Sequence, residues 1–588
     1  MKYTKLIAPV LLGVMMAVSC TKDEPGIRTK DGPSGGGGQG GTEDVKYTPI
    51  TPSATGNWSG ALVEPAVTDG VTIPAYGDDY RPNAGWAFKD KWNLANVHDP
   101  SIAYYKGYYY MFNTDASYGN EHEKGPDHVH FPGKRSKDLV NWQYVPGPFS
   151  KAPSWVATRL NEIRQRMGLE KIAAGNISYG YWAPVIRVVG DKLRMYYCIV
   201  IDNYIQSGKK TSEPFDGSWT ERAFIGMCET TDPASGNWTD YGFVTCSSSD
   251  LGKDGWARSS ATNWDGYFFY NAIDPTYIVA KDGKHWLIYG SWHSGFALLE
   301  INPATGMPVK DLGDPWASSV ADLTARFGLR IGTRTAGSRW QGSEAPEIIY
   351  KDGYYYLFMA YDGLDVPYNT RVVRAESIEG PYLDITGRNF TNGRGDCYPI
   401  VTHPYKFSKG NGWVGFSHCC VFQQEGTGDW FYASQARLPA SAGGNAPNAV
   451  MMGHVRRIVW CPSSSDNLED LWPIALPERY AGLADKSAVK AEELVGTWEH
   501  IHLKYDYGKQ DVAANMEIKA DGTFSGAISG QWTFDEAKQY LTLTTSTNSV
   551  VVVVSREADW EASPRVATLV YAGTQKNLNA TWWGKKVK

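Results

Sequence analysis

An excess of charge of either sign, a second long hydrophobic run and paired cysteines are all missing from this 588-residue chain. The formal net charge of -6 offers no basic field to a polyanion, which sets nucleic acid aside as a partner. Beyond the first 18 residues no apolar segment reaches the length of about 20 residues that a membrane-spanning helix needs. Of the cysteines, Cys20 closes the apolar N-terminal run. The other seven, Cys198, Cys228, Cys246, Cys397, Cys419, Cys420 and Cys461, form no Cys-x-x-Cys pair. Their odd number excludes a complete disulfide framework and their spacing excludes a zinc motif, with one or two bridges left open. Helical patterning is equally scarce: one convincing stretch, PSWVATRLNEIRQRMGLEK, spans residues 153–171.

Aromatic residues are abundant instead. The 23 Trp and 36 Tyr suit both the packing of β-blades and the stacking of sugars. They concentrate in a repeat: HDPSIAYYKGYYYMF from His98, YWAPVIRVVGDKLRMYY from Tyr181, AIDPTYIVAKDGKHWLIY from Ala272, SEAPEIIYKDGYYYLF from Ser343 and SHCCVFQQEGTGDWFYA from Ser417. Each unit is an apolar strand running into a Gly-centred turn and a second aromatic strand. The turn residues Gly107, Gly190, Gly283, Gly353 and Gly428 are 83, 93, 70 and 75 residues apart. That spacing suits four short strands per unit plus loops, so the sequence predicts an all-β fold with a five-bladed β-propeller.

Three units open on a carboxylate close to Pro. Asp99, Asp274 and Glu344 lie eight, nine and nine residues before their turn glycines, nearly one structural position in three blades. On innermost strands they converge at one end of the central channel. Hydrolysis of a glycosidic bond requires an acid for the leaving oxygen and a second carboxylate that activates water or attacks the sugar; a third acid can tune its neighbours. Glu347 is a rival for the acid, but its separation of three from Glu344 assigns it to the opposite strand face. His418 opens the fifth unit and is expected at the same axis. The loop SYGNEHEKGPDHVH, with His122, His128 and His130, reads as a solvated rim.

In order, the motifs HDPSI, WAP, NAIDPTY, GSWHSG and EAPEIIYKDGYYYLF resemble glycoside hydrolase family 43 over about 380 residues, Val97 to Gly482. HPYKFSKGNGWVGFSHCCVF and the closing RRIVW and WPIALPERYAG are similar to its endo-α-1,5-L-arabinanase branch. The resemblance implies an inverting hydrolase of arabinan with Asp99 as base, Asp274 as the group that raises the acid's pKa, and Glu344 as acid. It implies Asn271, Ser291 and Trp292 around the cleaved bond, while Trp182, at the axial position of the second blade, is expected to stack on a sugar or wall the funnel. It also implies a calcium ion at His418, coordinated mostly by water because one histidine is a poor calcium site. Cys419, Cys420 and Val185 depart from the residues the family pattern leads one to expect. An exo-acting α-L-arabinofuranosidase or β-xylosidase of the same fold, or a propeller that binds glycans without cleaving them, are the alternatives.

Residues 1–20 read as a secretory signal whose end resembles a lipobox, with lipid on Cys20 and the protein on the surface of a Gram-negative outer membrane. Residues 21–45 are a Gly-rich tether, 46–482 the propeller, and 490–588 a small β-barrel or sandwich whose Gly496-Thr497-Trp498 resembles the start of lipocalin-like barrels. A monomer is expected, attached to the membrane by lipid alone.

Overall fold

The computed structural model describes residues 66–68, 71–73, 85–115, 128–177, 179–201, 222–253, 269–393, 395–442, 451–482, 487–562 and 566–587. The signal, Cys20, the tether and His122 lie outside them. Five antiparallel four-stranded sheets make the blades. The first holds His98–Tyr105, Tyr108–Thr114, Gly133–Ser136 and Gln143–Val145; the second Tyr179–Val189, Lys192–Ile201, Ala223–Thr230 and Thr239–Cys246. The third holds Thr276–Val279, His285–Tyr289, Phe296–Ile301 and Leu329–Gly332; the fourth Ser343–Lys351, Tyr354–Tyr361, Asn369–Ala375 and Ile400–Thr402. The fifth is Cys420–Gln423, Trp430–Ala436, Met452–Ser464 and Asn467–Ala475.

Two-residue turns join the first two strands of blades one and four. Lys106-Gly107 has φ 46° and 87°, and Asp352-Gly353 has φ 48° and 91°. Both central residues are left-handed, the turn whose twist matches the flanking strands, and a side chain at the second would be strained. The ring closes through backbone pairing of the lead-in with blade five: Gly453 N–H donates to Leu94 O at 2.7 Å and Val97 N–H to Met451 O at 3.3 Å.

Each blade's chain turns left-handed at one point on its way into the innermost strand: Asp99 (φ 52°), Ala183 (41°), Asp274 (56°), Ala345 (54°) and His418 (53°). In blades one, two and four the strand register slips there, between His98 and Ser101, Trp182 and Val185, and Glu344 and Glu347. Pro follows the kinked residue in four of the five blades, at 100, 184, 275 and 346. A bulge leaves a residue unpaired, so the N–H that Pro lacks is not missed there.

The bulge corrects the strand-face expectation for Glu347. The extra residue resets the alternation, and Glu347 faces the axis, not the other side. Its Oε1 and Oε2 accept from Arg187 Nη2 at 2.7 and 2.8 Å, Oε2 accepts from Thr276 Oγ1 at 2.6 Å and Oε1 from Val421 N at 3.1 Å. Arg187 also reaches Ser101 Oγ at 3.4 Å. Side chains or backbone of all five blades thus meet in one polar layer.

The predicted helix forms over Ser154–Arg166, between blades one and two, and buries Val156, Leu160 and Ile163. The seven described cysteines are all buried and none is in a disulfide, so the bridges left open do not form among the described residues. His128 and His130 are buried rather than on a solvated rim: His128 Nε2 lies 3.0 Å from Asp115 Oδ2, and the His130 ring stacks on Tyr181 with centroids 3.4 Å apart.

The C-terminal module is a closed eight-stranded barrel, which decides between barrel and sandwich. Its strands are Gly496–Leu503, Ala514–Ile518, Thr523–Gly526, Gly530–Asp535, Tyr540–Thr544, Ser549–Asp559, Val566–Thr574 and Thr581–Lys586. Trp498 packs in the lumen, whereas Ile501, Leu503, Val570, Ala572 and Trp583 share one hydrophobic core with propeller residues such as Tyr405, Phe407 and Cys461. Buried Lys585 pairs there with Glu478 at 3.1 Å and Asp559 at 2.9 Å, and with Glu561.

Because removal of one partner strands a buried charge, Glu347→Leu is expected to lower the unfolding free energy by about 3–5 kcal/mol in denaturant titrations. The double variant Arg187→Met/Glu347→Leu should recover most of that loss. Equal destabilisation by single and double variants would show that the ion pair is not what joins the blades.

Candidate active site

The kink brings three acids and a histidine together, but not by one shared position. Asp99, Asp274 and His418 occupy the left-handed residue itself, while Glu344 precedes it by one and is matched by Ala345. Asp274, Glu344 and His418 each bring a ligating atom within 4.8 Å of the others, and His418 Nδ1 lies 2.8 Å from Asp99 Oδ1. All four side chains are largely withdrawn from solvent.

Asp99 is held on every side. Thr114 Oγ1 donates to its Oδ2 at 2.8 Å, His98 Nε2 lies 3.2 Å from Oδ1, and its own N–H donates to Gln435 Oε1 at 2.6 Å. Burial alone would raise its pKa, yet the charges of His418 and His98 and the hydrogen bonds from His418 and Thr114 outweigh burial and hold the carboxyl well below its usual range. Asp99 is therefore ionised at neutral pH. Burial disfavours a charged His418, but Asp99 chiefly, then Asp274 and Glu344, overcome that and raise it to about 9.

The other two carboxyls shift the opposite way. Burial first and then the Glu344 charge raise Asp274. Burial raises Glu344 despite three donors: Tyr368 Oη to Oε1 at 2.5 Å, Trp292 Nε1 to Oε2 at 2.5 Å and Ser291 Oγ to Oε2 at 3.1 Å. Ser291 acts on both carboxyls. Two crowded carboxyls of raised affinity hold a proton that Asp99 has given up, so one ionised acid and one protonated pair share the site.

Among the subsite candidates, Trp292 and Ser291 touch Glu344 directly. Asn271 is fully buried behind them: Nδ2 donates to Ser291 O at 3.2 Å, and Oδ1 accepts from Ser247 Oγ at 3.3 Å. Trp182 is 8% exposed, one residue before the kink of blade two, where Ala183 N donates to Thr114 Oγ1 at 2.7 Å. Thr114, Tyr368 and Gln435 went unnoticed in the sequence. Thr114 and Gln435 lie at or near the ends of second strands and Tyr368 in a loop, away from the repeat that marks the acids; His98 stands inside that repeat, directly beside Asp99.

For a cation the donor set is narrow. His418 Nδ1 is engaged by Asp99, which leaves Nε2, and the nearby oxygens belong to the three acids. Calcium prefers six to eight oxygens, and an imidazole raised to about 9 carries its Nε2 proton at neutral pH, so an ion at His418 would have to displace that proton and take most of its ligands from water.

Two family models cover the chain: glycosyl hydrolases family 43 over residues 94–460, and a C-terminal lipocalin-like domain over residues 477–584. Among curated proteins it is similar to an extracellular endo-α-(1->5)-L-arabinanase of Thermotoga petrophila, 26% identical over 87% of this chain and 96% of the relative. It is also similar to extracellular endo-α-(1->5)-L-arabinanase 2 of Bacillus subtilis, 26% identical over 77% of this chain and 85% of the relative. The crystal structure of the endo-1,5-α-L-arabinanase from Thermotoga petrophila RKU-1 superposes with a TM-score of 0.60 at 23% identity, covering 84% of this chain and 99% of that one, a likeness of fold. With the propeller, the clustered carboxyls and a family model matching most of the chain in hand, the protein belongs to glycosyl hydrolases family 43 and is a glycoside hydrolase.

Proposed function

We propose that the protein cleaves α-1,5-L-arabinofuranosidic bonds in arabinan, from within the chain and with inversion. The observation that carries this reading is the convergence of three acids on His418, with ligating atoms of Asp274 and Glu344 within 4.8 Å of it and Asp99 at 2.8 Å, in surroundings that lower Asp99 and raise the other two. Asp99 takes a proton from the attacking water, Glu344 protonates the departing sugar oxygen, and Asp274 keeps Glu344 supplied by resisting a second negative charge beside it. Trp292, Ser291 and Tyr368 orient Glu344, while Trp182 offers an indole to a sugar face. The endo-arabinanase names of two relatives matched over most of their length support the substrate and the endo mode.

A calcium ion at His418 would supply positive charge beside the acids. His418 would hold it through Nε2, giving up the proton that it otherwise carries there, while Asp99 fixes the imidazole through Nδ1. Lipid attachment at Cys20 and an outward-facing position on the cell envelope belong to this proposal on sequence alone, beside relatives named extracellular.

Incubation with linear arabinan followed by chromatography tests the reading. A ladder of oligosaccharides supports endo cleavage; arabinose alone replaces it with exo action, and uncleaved polymer retained by the protein makes the propeller a lectin. Asp99→Asn and Glu344→Gln should each lower kcat by about 10²–10⁴-fold, and Asp274→Asn should lower kcat more than it raises KM. Proton NMR of the first turnover should show the new reducing end in the opposite anomeric form; retention would remove Asp99 from the role of base. EDTA should reduce activity about tenfold or more, with recovery on calcium addition. Indifference to the chelator would leave His418 as the partner of Asp99 and nothing further.

A further inference from the structure

The barrel reaches the propeller's catalytic end through the segment 504–513 that follows its first strand. Asp511–Val512 in this segment pairs in parallel with Tyr405–Lys406 of the propeller. Ahead of that anchor, Tyr505 Oη donates to Asp362 Oδ2 at 2.7 Å and accepts from Arg334 Nη2 at 3.4 Å, and the Arg371 guanidinium lies 4.9 Å from its ring centroid. Asp362 directly follows the second strand of blade four, the strand that returns to the end where Glu344 stands.

From Tyr505 two short routes lead to Glu344. Arg334 Nη1 donates to Asp362 Oδ1 at 2.8 Å and to Gly342 O at 2.6 Å, and Asp362 N donates to the same carbonyl at 2.8 Å. Gly342 is two residues ahead of Glu344, so these bonds fix the backbone from which the acid projects. The guanidinium also stacks on Tyr361, 4.0 Å from its centroid. On the other side Asp362 Oδ2 accepts a long bond from Asn369 Nδ2 at 3.5 Å, and Asn369 Nδ2 donates to Pro367 O at 2.8 Å. Pro367 and Asn369 flank Tyr368, whose hydroxyl holds Glu344 Oε1. A phenol from the barrel thus steadies both the strand that carries Glu344 and the loop that orients its carboxyl.

We infer that Tyr505, which the barrel extends to the propeller, is a positioning residue that sets Glu344 through Asp362 and Arg334. The inference rests on the reading of Glu344 as the general acid. It gives the barrel a function that requires no sugar in its lumen, and makes hydrolysis depend on interdomain contact.

Leaving-group dependence separates positioning of an acid from general weakening. Tyr505→Phe in the full chain removes one hydroxyl and retains the ring against Arg371. On linear arabinan kcat should fall about tenfold with KM within about twofold. On a dinitrophenyl arabino-oligoside, whose leaving group needs no proton, the rate should stay within about twofold. Asp362→Asn should show the same selective loss, and the double variant should be no slower than Asp362→Asn alone, because both routes from Tyr505 pass through that carboxylate. Glu344→Gln, measured in parallel, calibrates the effect. If it spares the dinitrophenyl substrate while Tyr505→Phe slows both substrates alike, or neither, the barrel's role is overturned and the acid assignment stands. If Glu344→Gln slows both alike, the acid assignment falls and the inference falls with it.

Discussion

A left-handed kink interrupts the approach to each innermost strand, and both the ring and its chemistry depend on it. A straight strand presents alternate residues to the axis and would separate Glu344 from Glu347. The kink inserts one residue, and both become axial at different depths. The upper depth collects Asp99, Asp274, Glu344 and His418; the lower collects Arg187, Glu347 and Thr276. Positive φ at residues other than Gly carries a penalty of about 1–3 kcal/mol each, and such strain persists only where the surroundings over-determine it. Three of the five kinked residues here are the site's own Asp99, Asp274 and His418, while the other two are alanines. The strain therefore buries charge at a point where five strand ends crowd together.

The two depths answer one electrostatic difficulty differently. At the lower one a guanidinium and a carboxylate cancel, so burial is tolerable and the layer can lock the blades. At the upper one three carboxyls face one imidazole. Full ionisation would leave an uncompensated charge out of water, which the group nearest to His418 and His98 avoids by pairing and the other two avoid by retaining a proton. An asymmetric titration is a consequence of packing three like groups around one cation, before any substrate is considered.

Much of this was readable in the chain because it is local. The aromatic hairpins and turn glycines repeat, so five blades could be counted; Asp-Pro and Glu-Ala-Pro stand at repeat boundaries, so the acids could be found. The kink could not be anticipated from strand periodicity, and Glu347 was accordingly turned to the wrong face. Thr114, Tyr368 and Gln435 were missed for a related reason. Each touches the site from a second strand or a loop, where sequence separation from its partner, 15 residues for Thr114 and 336 for Gln435, hides the contact. His128 and His130 misled because a Gly- and Pro-containing loop suggested solvent, whereas Tyr181 and Asp115 draw both rings into the interior.

The barrel presents the complementary case, a module whose own sequence says little about its use. Its lumen is filled by Trp498, Phe524, Leu541, Leu543, Val552 and Tyr571, so its interior is largely spent on packing. Its outer face is apolar where it meets the propeller, through Ile501, Leu503, Val570 and Trp583, and one buried lysine gathers carboxylates from both modules there. An appendage that moved independently would not place Trp583 against Tyr405 or bury Lys585 between Glu478 and Asp559. Once that seam is rigid, any loop the barrel extends past it is held to the propeller as firmly as the propeller's own loops. The segment 504–513 is such a loop, and the acid-bearing edge of blade four is what it meets.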